Sequence, residues 1–459
     1  MVGYIRTAIV VVAALGYGTA FATTGNRFEV AHPAHNPRAD SDVTPPFLVT
    51  IKSTQTVPNN TALSGKPQNI SAYLLGKVPV PTNPTNLLEF IAQHADDGST
   101  SYYMPPSDTL VGATITSAVP NLSWKVNTDS NGTSFKAPGT IISGRIYIVD
   151  GSLNFSAGPN GGIVEPDPHN PSDISSQQLW GFIELTYSND SSNGHEGLTV
   201  NLSFVDWVSL PLGIELSTYE ANQTITAVIP GLNPDGLVKI CNELSQMDGF
   251  WPKLCLRSAD NKPLRVMSPQ KYVSLYADDH DAINYYEPYI DQVWSKYKTV
   301  DLQINTQVDN PDSNSKVANG VIVTCRVGAS DNILHCDNNA GDFERPVSRD
   351  IWGCNSGPFA NPSQGTESWS RARLRPRLCA AFTRSTLHLD YAQPSLDIGP
   401  ERYYGENITN HYARLVHENL MGGMGYAFSY DDVNPDAHSN SGGLMSTPHP
   451  IELTVLINA

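Results

Sequence analysis

Residues 180–213 read WGFIELTYSNDSSNGHEGLTVNLSFVDWVSLPLG. Two apolar runs on either side of a polar segment predict a pair of β-strands joined by a loop. Each predicted strand carries one acid where alternation favours an apolar residue, since Glu184 is in phase with Phe182 and Asp206 with Phe204. An ionised carboxylate in such a position is costly unless it is paired or lines a wet cleft. The two acids are therefore the first candidates for chemistry.

The composition is that of a turn-rich globular protein with a preference for β structure. Of the 459 residues, 40% are hydrophobic and only 16% are charged, with 35 glycines and 34 prolines. The formal net charge of −17 argues against nucleic-acid partners and anionic membranes, because both repel an acidic protein. A neutral polysaccharide is compatible with it.

The N-terminal segment, residues 1–22, has the features of a cleaved signal peptide. Arg6 precedes the apolar run AIVVVAALG, and Ala20 and Ala22 supply the small residues that signal peptidase reads. The run is too short to cross a bilayer comfortably. We expect a secreted protein, extracellular or in the cell wall, with no membrane association after cleavage.

Recurring N-x-Ser/Thr sequons point to a glycoprotein of a eukaryotic secretory pathway. Alternation places Asn201 on the polar face of its strand, where a glycan could be accommodated. The sequon asparagines are Asn59, Asn69, Asn121, Asn131, Asn154, Asn189, Asn201, Asn222 and Asn407.

Six cysteines fit three disulfides in an oxidising compartment. Proximity favours pairing in chain order, although six cysteines allow fifteen connectivities. The absence of a CxxC motif and of paired histidines disfavours zinc, so we expect neither a metal nor a cofactor. The cysteines are Cys241, Cys255, Cys325, Cys336, Cys354 and Cys379.

The chain divides by character into a β region with an insertion. Residues 23–46 read as a linker or pro-segment, and 47–226 as short strands of a β-sandwich or barrel. Residues 227–386 read as an inserted, cysteine-containing α/β lobe, and 387–459 complete the β domain with a final strand, HPIELTVLIN.

Proline positions shape the helix predictions in the lobe. Asn233-Pro234 and Ser268-Pro269 each begin a helix. The helical pattern over 281–297 is expected to break at Pro288, and that over 369–386 at Pro376. A short amphipathic helix is predicted over 409–420.

The pair Glu184 and Asp206 permits two interpretations. Two carboxylates can act as general acid and general base on a glycosidic bond, and apolar surroundings would raise the pKa of Glu184 as a proton donor requires. Alternatively, both are outward-facing or salt-bridged sheet residues. In a symmetric hairpin, the residue opposite Glu184 lies near Leu202, four residues before Asp206. Four residues of strand span about 13 Å, so such a hairpin would hold the two acids far apart.

Other polar and aromatic residues are weaker candidates. Asp431 and Asp432 could hydrogen-bond sugar hydroxyls, or Asp432 could simply organise a turn. Trp207 and Tyr272 could stack on sugar rings, as could Trp251 and Tyr276, although aromatic residues usually pack in a core.

Several segments together resemble glycoside hydrolase family 64, the β-1,3-glucanases with a thaumatin-like domain. They occur in the family's order and cover most of the chain from about Phe47 to the end. The segments are WGFIELTY, NLSFVDWVSLPLGIEL, CNELSQMDGFWPKLC, DIWGCNSGPF, RLCAAFTRSTL and GYAFSYDDVNPD.

The resemblance implies a mainly β fold, with a sandwich or barrel domain, a mixed α/β lobe and a wide groove between them. It implies inverting hydrolysis of β-1,3-glucan to short oligosaccharides by a monomer, with Glu184 as general acid and Asp206 as general base. Asp431 and Asp432 match acidic residues of the family's groove. Thr186, on the face of Glu184, and the aromatic Trp207 and Tyr272 complete the expected substrate contacts.

Two non-catalytic alternatives remain at this stage. The first is a thaumatin-like protein that binds cell-wall glucan without cutting it, and a buried Glu184 paired with an arginine would favour this alternative. The second is a structural wall glycoprotein, suggested by the sequons alone.

Overall fold

The computed structural model describes residues 47–54, 69–80, 83–94, 99–106, 111–115, 122–127, 131–188, 197–307, 320–362, 367–436 and 440–458. The predicted signal peptide, the linker and the sequons at Asn59, Asn121 and Asn189 lie outside these residues. Within them, no helix is long and apolar enough to cross a membrane.

Short strands make up most of the described chain, as the sequence predicts. In chain order they are β1 (Leu48–Ser53), β2 (Ile70–Val80), β3 (Asn83–His94), β4 (Thr100–Tyr103), β5 (Thr114–Ile115), β6 (Trp124–Lys125), β7 (Thr133–Lys136), β8 (Ile141–Asp150), β9 (Phe155–Ala157), β10 (Ile163–Val164), β11 (Leu179–Ser188), β12 (Gly197–Leu202), β13 (Trp207–Val208), β14 (Leu212–Glu220), β15 (Gln223–Ile229), β16 (Gly231–Leu232), β17 (Cys255–Arg257), β18 (Pro263–Met267), β19 (Leu302–Asn305), β20 (Ile322–Val327), β21 (Leu334–Cys336), β22 (Gly341–Phe343), β23 (Leu420–Met421), β24 (Leu444–Thr447) and β25 (Pro450–Ile457).

The α-helices of the described residues cluster between β16 and β23. They are α1 (Gly236–Leu244), α2 (Pro269–Leu275), α3 (His280–Ile283), α4 (Glu287–Tyr297), α5 (Ser348–Gly353), α6 (Trp369–Thr383) and α7 (His411–Asn419).

Two large sheets form the β part of the protein. The first has the order β15-β14-β25-β1-β7, with the C-terminal β25 in its centre, parallel to β1 and antiparallel to β14. The second runs β24-β12-β11-β8-β2-β3-β4, and β6 pairs with β2. Apolar side chains from both sheets belong to one buried cluster. The mainly β prediction is confirmed, and the described strands form several open sheets rather than a closed barrel.

The α-helices pack with the small sheets β19-β20-β21-β22 and β13-β18-β17, and this part of the chain contains the disulfides. The cysteines pair in chain order, as Cys241–Cys255, Cys325–Cys336 and Cys354–Cys379. Helix α7 packs against α1, and β23 pairs with β16. The domain boundaries given above remain a prediction.

Of the two predicted proline breaks, one is confirmed and one is wrong. The chain leaves helical geometry between α3 and α4, and Pro288 lies in the first turn of α4, where its missing N–H costs nothing. Helix α6, in contrast, continues through Pro376. Leu374, Leu378 and Phe382 of that helix are fully buried, and their packing outweighs the lost hydrogen bond.

Strand β12 begins at a glycine that pairs with the last residue of β11. Ser188 pairs with Gly197, whose φ is +91°. A Cβ atom at Gly197 would lie 2.1 Å from the carbonyl oxygen of Thr447. The left-handed conformation and this close approach both require glycine here.

We expect Gly197→Ala to lower the free energy of unfolding by about 3 kcal/mol or more, because it adds a clash to the cost of the left-handed conformation. Gly112→Ala is the matched control, since Gly112 has φ +86° and a Cβ atom added there would meet nothing within 4 Å. It should cost about 1–2 kcal/mol. Urea unfolding measures both, and equal losses would contradict the role given to the clash.

Candidate active site

Glu184 lies in a row of polar side chains that crosses three adjacent strands. It is opposite Arg145 of β8 on one side and opposite Asn201 of β12 on the other. Directly opposite residues of antiparallel strands share a face, so these three side chains are neighbours. We call Arg145, Glu184 and Asn201 the polar row. The other face of β11 carries Ile183 and Leu185, which are buried in the main core.

Thr186 lies on the face of the polar row, two residues from Glu184 and opposite Thr199. Its Oγ1 accepts a hydrogen bond from the Ser143 N–H at 3.3 Å. The position agrees with the expectation that Thr186 is close to the candidate acid.

A bend in the chain precedes Asp206, whose charge acts on Glu184. Strand β12 ends at Leu202, which is buried in the core, and the chain resumes strand geometry only at Trp207. A straight strand would have kept the side chains of Leu202 and Asp206 on the same face. The expectation that one strand contains both residues is therefore wrong. The negative charge of Asp206 instead acts on Glu184 and Arg145, which puts the two carboxylates within electrostatic reach.

Backbone contacts fix the bend on both sides. The Phe204 N–H donates to the Tyr426 carbonyl at 2.7 Å, and the Tyr426 N–H donates to the Leu202 carbonyl at 2.9 Å. On the other side, the Ser268 N–H donates to the Asp206 carbonyl at 3.0 Å. Ser268 is also the N-cap of α2. The position of Asp206 is thus set by segments distant in sequence from the hairpin.

Arg145 is shared between two carboxylates. Its Nε and Nη2 donate to Glu184 Oε1 at 3.3 and 3.2 Å, and its Nη1 donates to Glu165 Oε2 at 3.0 Å. The guanidinium lies over the Phe182 ring, 4.5 Å from its centroid. Tyr147 donates a further hydrogen bond to Glu165. Because Glu165 binds the same guanidinium, the positive charge of Arg145 is shared between two carboxylates.

Burial raises the pKa of Glu184 despite this ion pair. The positive charge of Arg145 acts in the opposite direction, the negative charge of Asp206 raises the pKa further, and a hydrogen bond from Ser203 lowers it. The net direction is upward. A raised pKa keeps a proton on the carboxyl closer to neutral pH, as a general acid requires. The side chain is 14% exposed, so it is not sealed from solvent.

The acidic segment near the C-terminus meets the hairpin at Tyr426. The backbone of Tyr426 bonds to that of Leu202 and Phe204, as described above. Its hydroxyl hydrogen-bonds to Asp432, and after burial the charges of Asp432, Asp431 and Glu184 raise its pKa. Tyr426 therefore lies between the two acidic clusters that the sequence shows separately.

The adjacent acids Asp431 and Asp432 have different environments. Asp431 is 1% exposed, and its side chain accepts hydrogen bonds from Arg384 at 3.0 Å, His417 at 2.8 Å and the Ala427 N–H at 2.8 Å. Burial raises its pKa, but the His417 and Arg384 interactions outweigh burial and the pKa is lowered. Both carboxylate oxygens of Asp431 therefore accept hydrogen bonds from protein groups. The placement of this side chain argues against direct contact with a sugar.

Asp432, in contrast, is open to solvent. The surrounding protein atoms nevertheless desolvate it enough to raise its pKa, and the charge of Asp431 adds to this. Of the two acids, Asp432 is the one placed to reach a ligand.

Two predicted stacking platforms lie in the interior. Trp207 packs edge-on against Trp180 and Phe182, with ring centroids 4.9 and 5.2 Å apart, and is 7% exposed. Tyr272 is 4% exposed, and its hydroxyl donates to Asp279 at 2.6 Å. Both rings are buried, and their positions favour a structural role.

Sequence reasoning missed Arg145, Ser203 and Tyr426. Arg145 interrupts the apolar run GTIISGRIYIV, and a charge inside a predicted strand was the signal available for it. Nothing in the local sequence distinguishes Ser203 or Tyr426. Within the described residues, no group of three or more His, Cys, Asp or Glu side chains could hold a metal ion.

Comparison with known protein families identifies a match over most of the chain. The sequence model of glycoside hydrolase family 64, described as β-1,3-glucanase, matches residues 54–457. The chain belongs to glycoside hydrolase family 64.

Two curated proteins resemble the chain at low sequence identity. A glucan endo-1,3-beta-glucosidase of Cellulosimicrobium cellulans is 26% identical over 294 residues, which cover 64% of this chain and 48% of that protein. A protein of the same name from Arthrobacter sp. (strain YCWD3) matches to the same extent. The matched region spans about half the length of these curated relatives.

Solved structures of family 64 proteins share the fold. A laminaripentaose-producing β-1,3-glucanase, crystallised with laminaritetraose, gives a TM-score of 0.69 at 24% identity over 91% of this chain and 99% of that chain. A β-1,3-glucanase domain from Clostridium beijerinckii gives 0.61 at 17% identity over 92% and 100% of the respective chains.

The buried contact of Asp431 with His417 makes the free energy of unfolding of this protein depend on pH. His417 has an acceptor at each ring nitrogen, the Gly423 carbonyl at 2.9 Å and Asp431 at 2.8 Å, so both bonds require the imidazolium. Burial lowers the pKa of His417, but Asp431 outweighs burial and the net shift is upward. The stabilisation by His417 is complete below its unfolded pKa of about 6.5 and is lost as the pH rises through the folded pKa.

Asp431 has the opposite dependence, because its pKa is lowered. Its contribution is present above the unfolded value of about 3.9 and is lost as the pH falls through the folded pKa. We expect His417→Gln to cost about 2 kcal/mol between about pH 4 and 6.5, and less at higher pH.

His335→Gln is the control for this measurement. His335 also bridges two carboxylates, Asp331 at 2.9 Å and Asp342 at 2.8 Å, but it is exposed. Solvent screening should make its substitution much less costly. Denaturant unfolding as a function of pH measures both variants, and a pH-independent loss for His417→Gln would reject the imidazolium.

Proposed function

We propose that this protein is a secreted endo-β-1,3-glucanase that inverts the anomeric carbon, with Glu184 as general acid and Asp206 as general base. The observation that carries the proposal is the raised pKa of Glu184 beside a second carboxylate, on a sheet surface of a family 64 fold. In the reaction, Glu184 protonates the departing glycosidic oxygen. Asp206 removes a proton from the water that attacks the opposite face of the sugar.

The proposed substrate is a linear β-1,3-glucan, cut into short laminari-oligosaccharides by a monomeric enzyme. Asp432 and Thr186 are the proposed substrate contacts, because Thr186 lies two residues from Glu184 on the same face and Asp432 is exposed next to Tyr426. Asp431 is assigned a positioning role, holding the turn that carries Asp432. A neutral glucan is also compatible with the acidic net charge.

A non-catalytic glucan binder is the alternative, and the Arg145–Glu184 ion pair is the observation that favours it. Two features weigh against it. Arg145 is divided between Glu184 and Glu165, and the pKa of Glu184 is raised in spite of the pair. A carboxylate held only as an ion-pair partner would be expected to have a lowered pKa.

We expect Glu184→Gln and Asp206→Asn each to reduce hydrolysis of laminarin or curdlan by at least about 100-fold, because each removes a proton-transfer group. Glu165→Gln is the matched control, since it removes the other carboxylate bound to Arg145 but no proposed catalytic group. It should retain most of the activity.

Reducing-sugar release and chromatography of the products measure these activities, and NMR of the first products identifies the anomer. The proposal predicts the α-anomer. A β-anomer would reject inversion alone. Glucan binding by the wild type without release of reducing sugar would establish the binder instead.

Arg145→Gln should move the upper limb of the pH profile of kcat/KM to higher pH. The positive charge of Arg145 lowers the pKa of Glu184, so its removal leaves the acid protonated over a wider range. Arg145→Lys keeps the charge and is the control. An upper limb that stays in place in Arg145→Gln would show that Glu184 is not the group titrating there.

A further inference from the structure

Asn201 is the member of the polar row that takes no part in the proposed proton transfers or in the ion pair of Glu184. It is directly opposite Glu184 in the ladder of β11 and β12. Cβ atoms of such pairs are about 4.5–5.5 Å apart, so its amide lies beside the carboxyl of Glu184. Leu444 of β24 flanks it on the far side. The amide is therefore the polar neighbour of Glu184 on the side away from Arg145.

The amide of Asn201 is not committed to a protein partner in the described part of the chain. Its Oδ1 is buried there without a hydrogen bond. The residue as a whole is only half-buried, so the NH2 end of the amide is the part left to reach solvent. An enclosed amide oxygen without a partner is costly, and a functional role is one of the explanations for such a group.

The chemistry of this amide suits a sugar hydroxyl. An NH2 group donates hydrogen bonds to a hydroxyl oxygen, and a neutral side chain next to Glu184 leaves the raised pKa of the acid unchanged. A charged residue here would not. A lysine would lower that pKa and an aspartate would raise it further.

We infer that Asn201 binds a hydroxyl group of the glucosyl unit next to the scissile bond and so positions the β-1,3-glucan against Glu184. This inference rests on the proposed function. Asn201 acts through the substrate, and no proton is transferred to or from it.

The position of Asn201 also bears on whether this asparagine is glycosylated. Sequence reasoning placed Asn201 on a polar face where a glycan could be accommodated, but that face is the one that carries Glu184. Ser203, the third residue of the sequon, hydrogen-bonds to Glu184. A glycan on Asn201 would cover the acid, so the active protein has an unmodified Asn201.

The test compares Asn201→Ala and Asn201→Asp with the wild type on laminari-oligosaccharides of defined length. Asn201→Ala should lower kcat/KM about tenfold or more through loss of the hydrogen bond. Asn201→Asp is nearly isosteric and carries the test if the alanine variant fails to fold. It should raise KM through loss of the NH2 donor, which a merely structural role would not do, and its charge beside Glu184 should move the upper limb of the pH profile to higher pH.

Thr224→Ala is the control, because Thr224 is exposed on β15 and its loss removes the sequon of Asn222. It should behave as the wild type. Peptide mass spectrometry of protein secreted from a eukaryotic host should find Asn201 unmodified in the active fraction.

The outcomes separate the two proposals. An active wild type with Asn201→Ala within twofold of it, an unmoved pH limb in Asn201→Asp, or a glycan on Asn201 in active protein would each overturn this inference alone. A wild type that hydrolyses no β-1,3-glucan would overturn the proposed function and this inference with it.

Discussion

The burial of the Glu184 carboxyl beside Arg145 is the interaction on which the site depends. Burial disfavours the ionised form, whereas the guanidinium favours it, and the balance leaves the pKa raised. Arg145 also binds Glu165 and stacks on Phe182. Its positive charge does not offset the burial of the Glu184 carboxyl, which has the largest influence on that pKa.

The sheet supplies the rigid frame for this balance. Arg145, Glu184 and Asn201 come from three adjacent strands, and backbone hydrogen bonds fix their register. A one-residue slip of any strand would turn its side chain into the core, so the apolar opposite face protects the register. Side chains held on strands in this way lose little order when a ligand binds.

Segments distant in sequence complete the site through the backbone. The Tyr426 segment closes the bend before Asp206 on one side, and the N-cap of α2 holds the Asp206 carbonyl on the other. The buried contacts of Asp431 with His417 and Arg384 fix the turn that presents Asp432. The helical part of the chain therefore positions acids that the β strands alone could not bring together.

The sequence by itself determined the mainly β class, the disulfide order favoured by proximity and the prominence of Glu184, because alternation, spacing and composition are local properties. It also identified the family through segments spread along the chain. Only the tertiary structure decided that Asp206 leaves its strand, that Trp207 and Tyr272 are interior, that Pro376 is tolerated in α6 and that Asn201 shares the face of Glu184. These depend on cross-strand register and on contacts between residues hundreds of positions apart, such as Phe204 and Tyr426, which periodicity within one strand does not record.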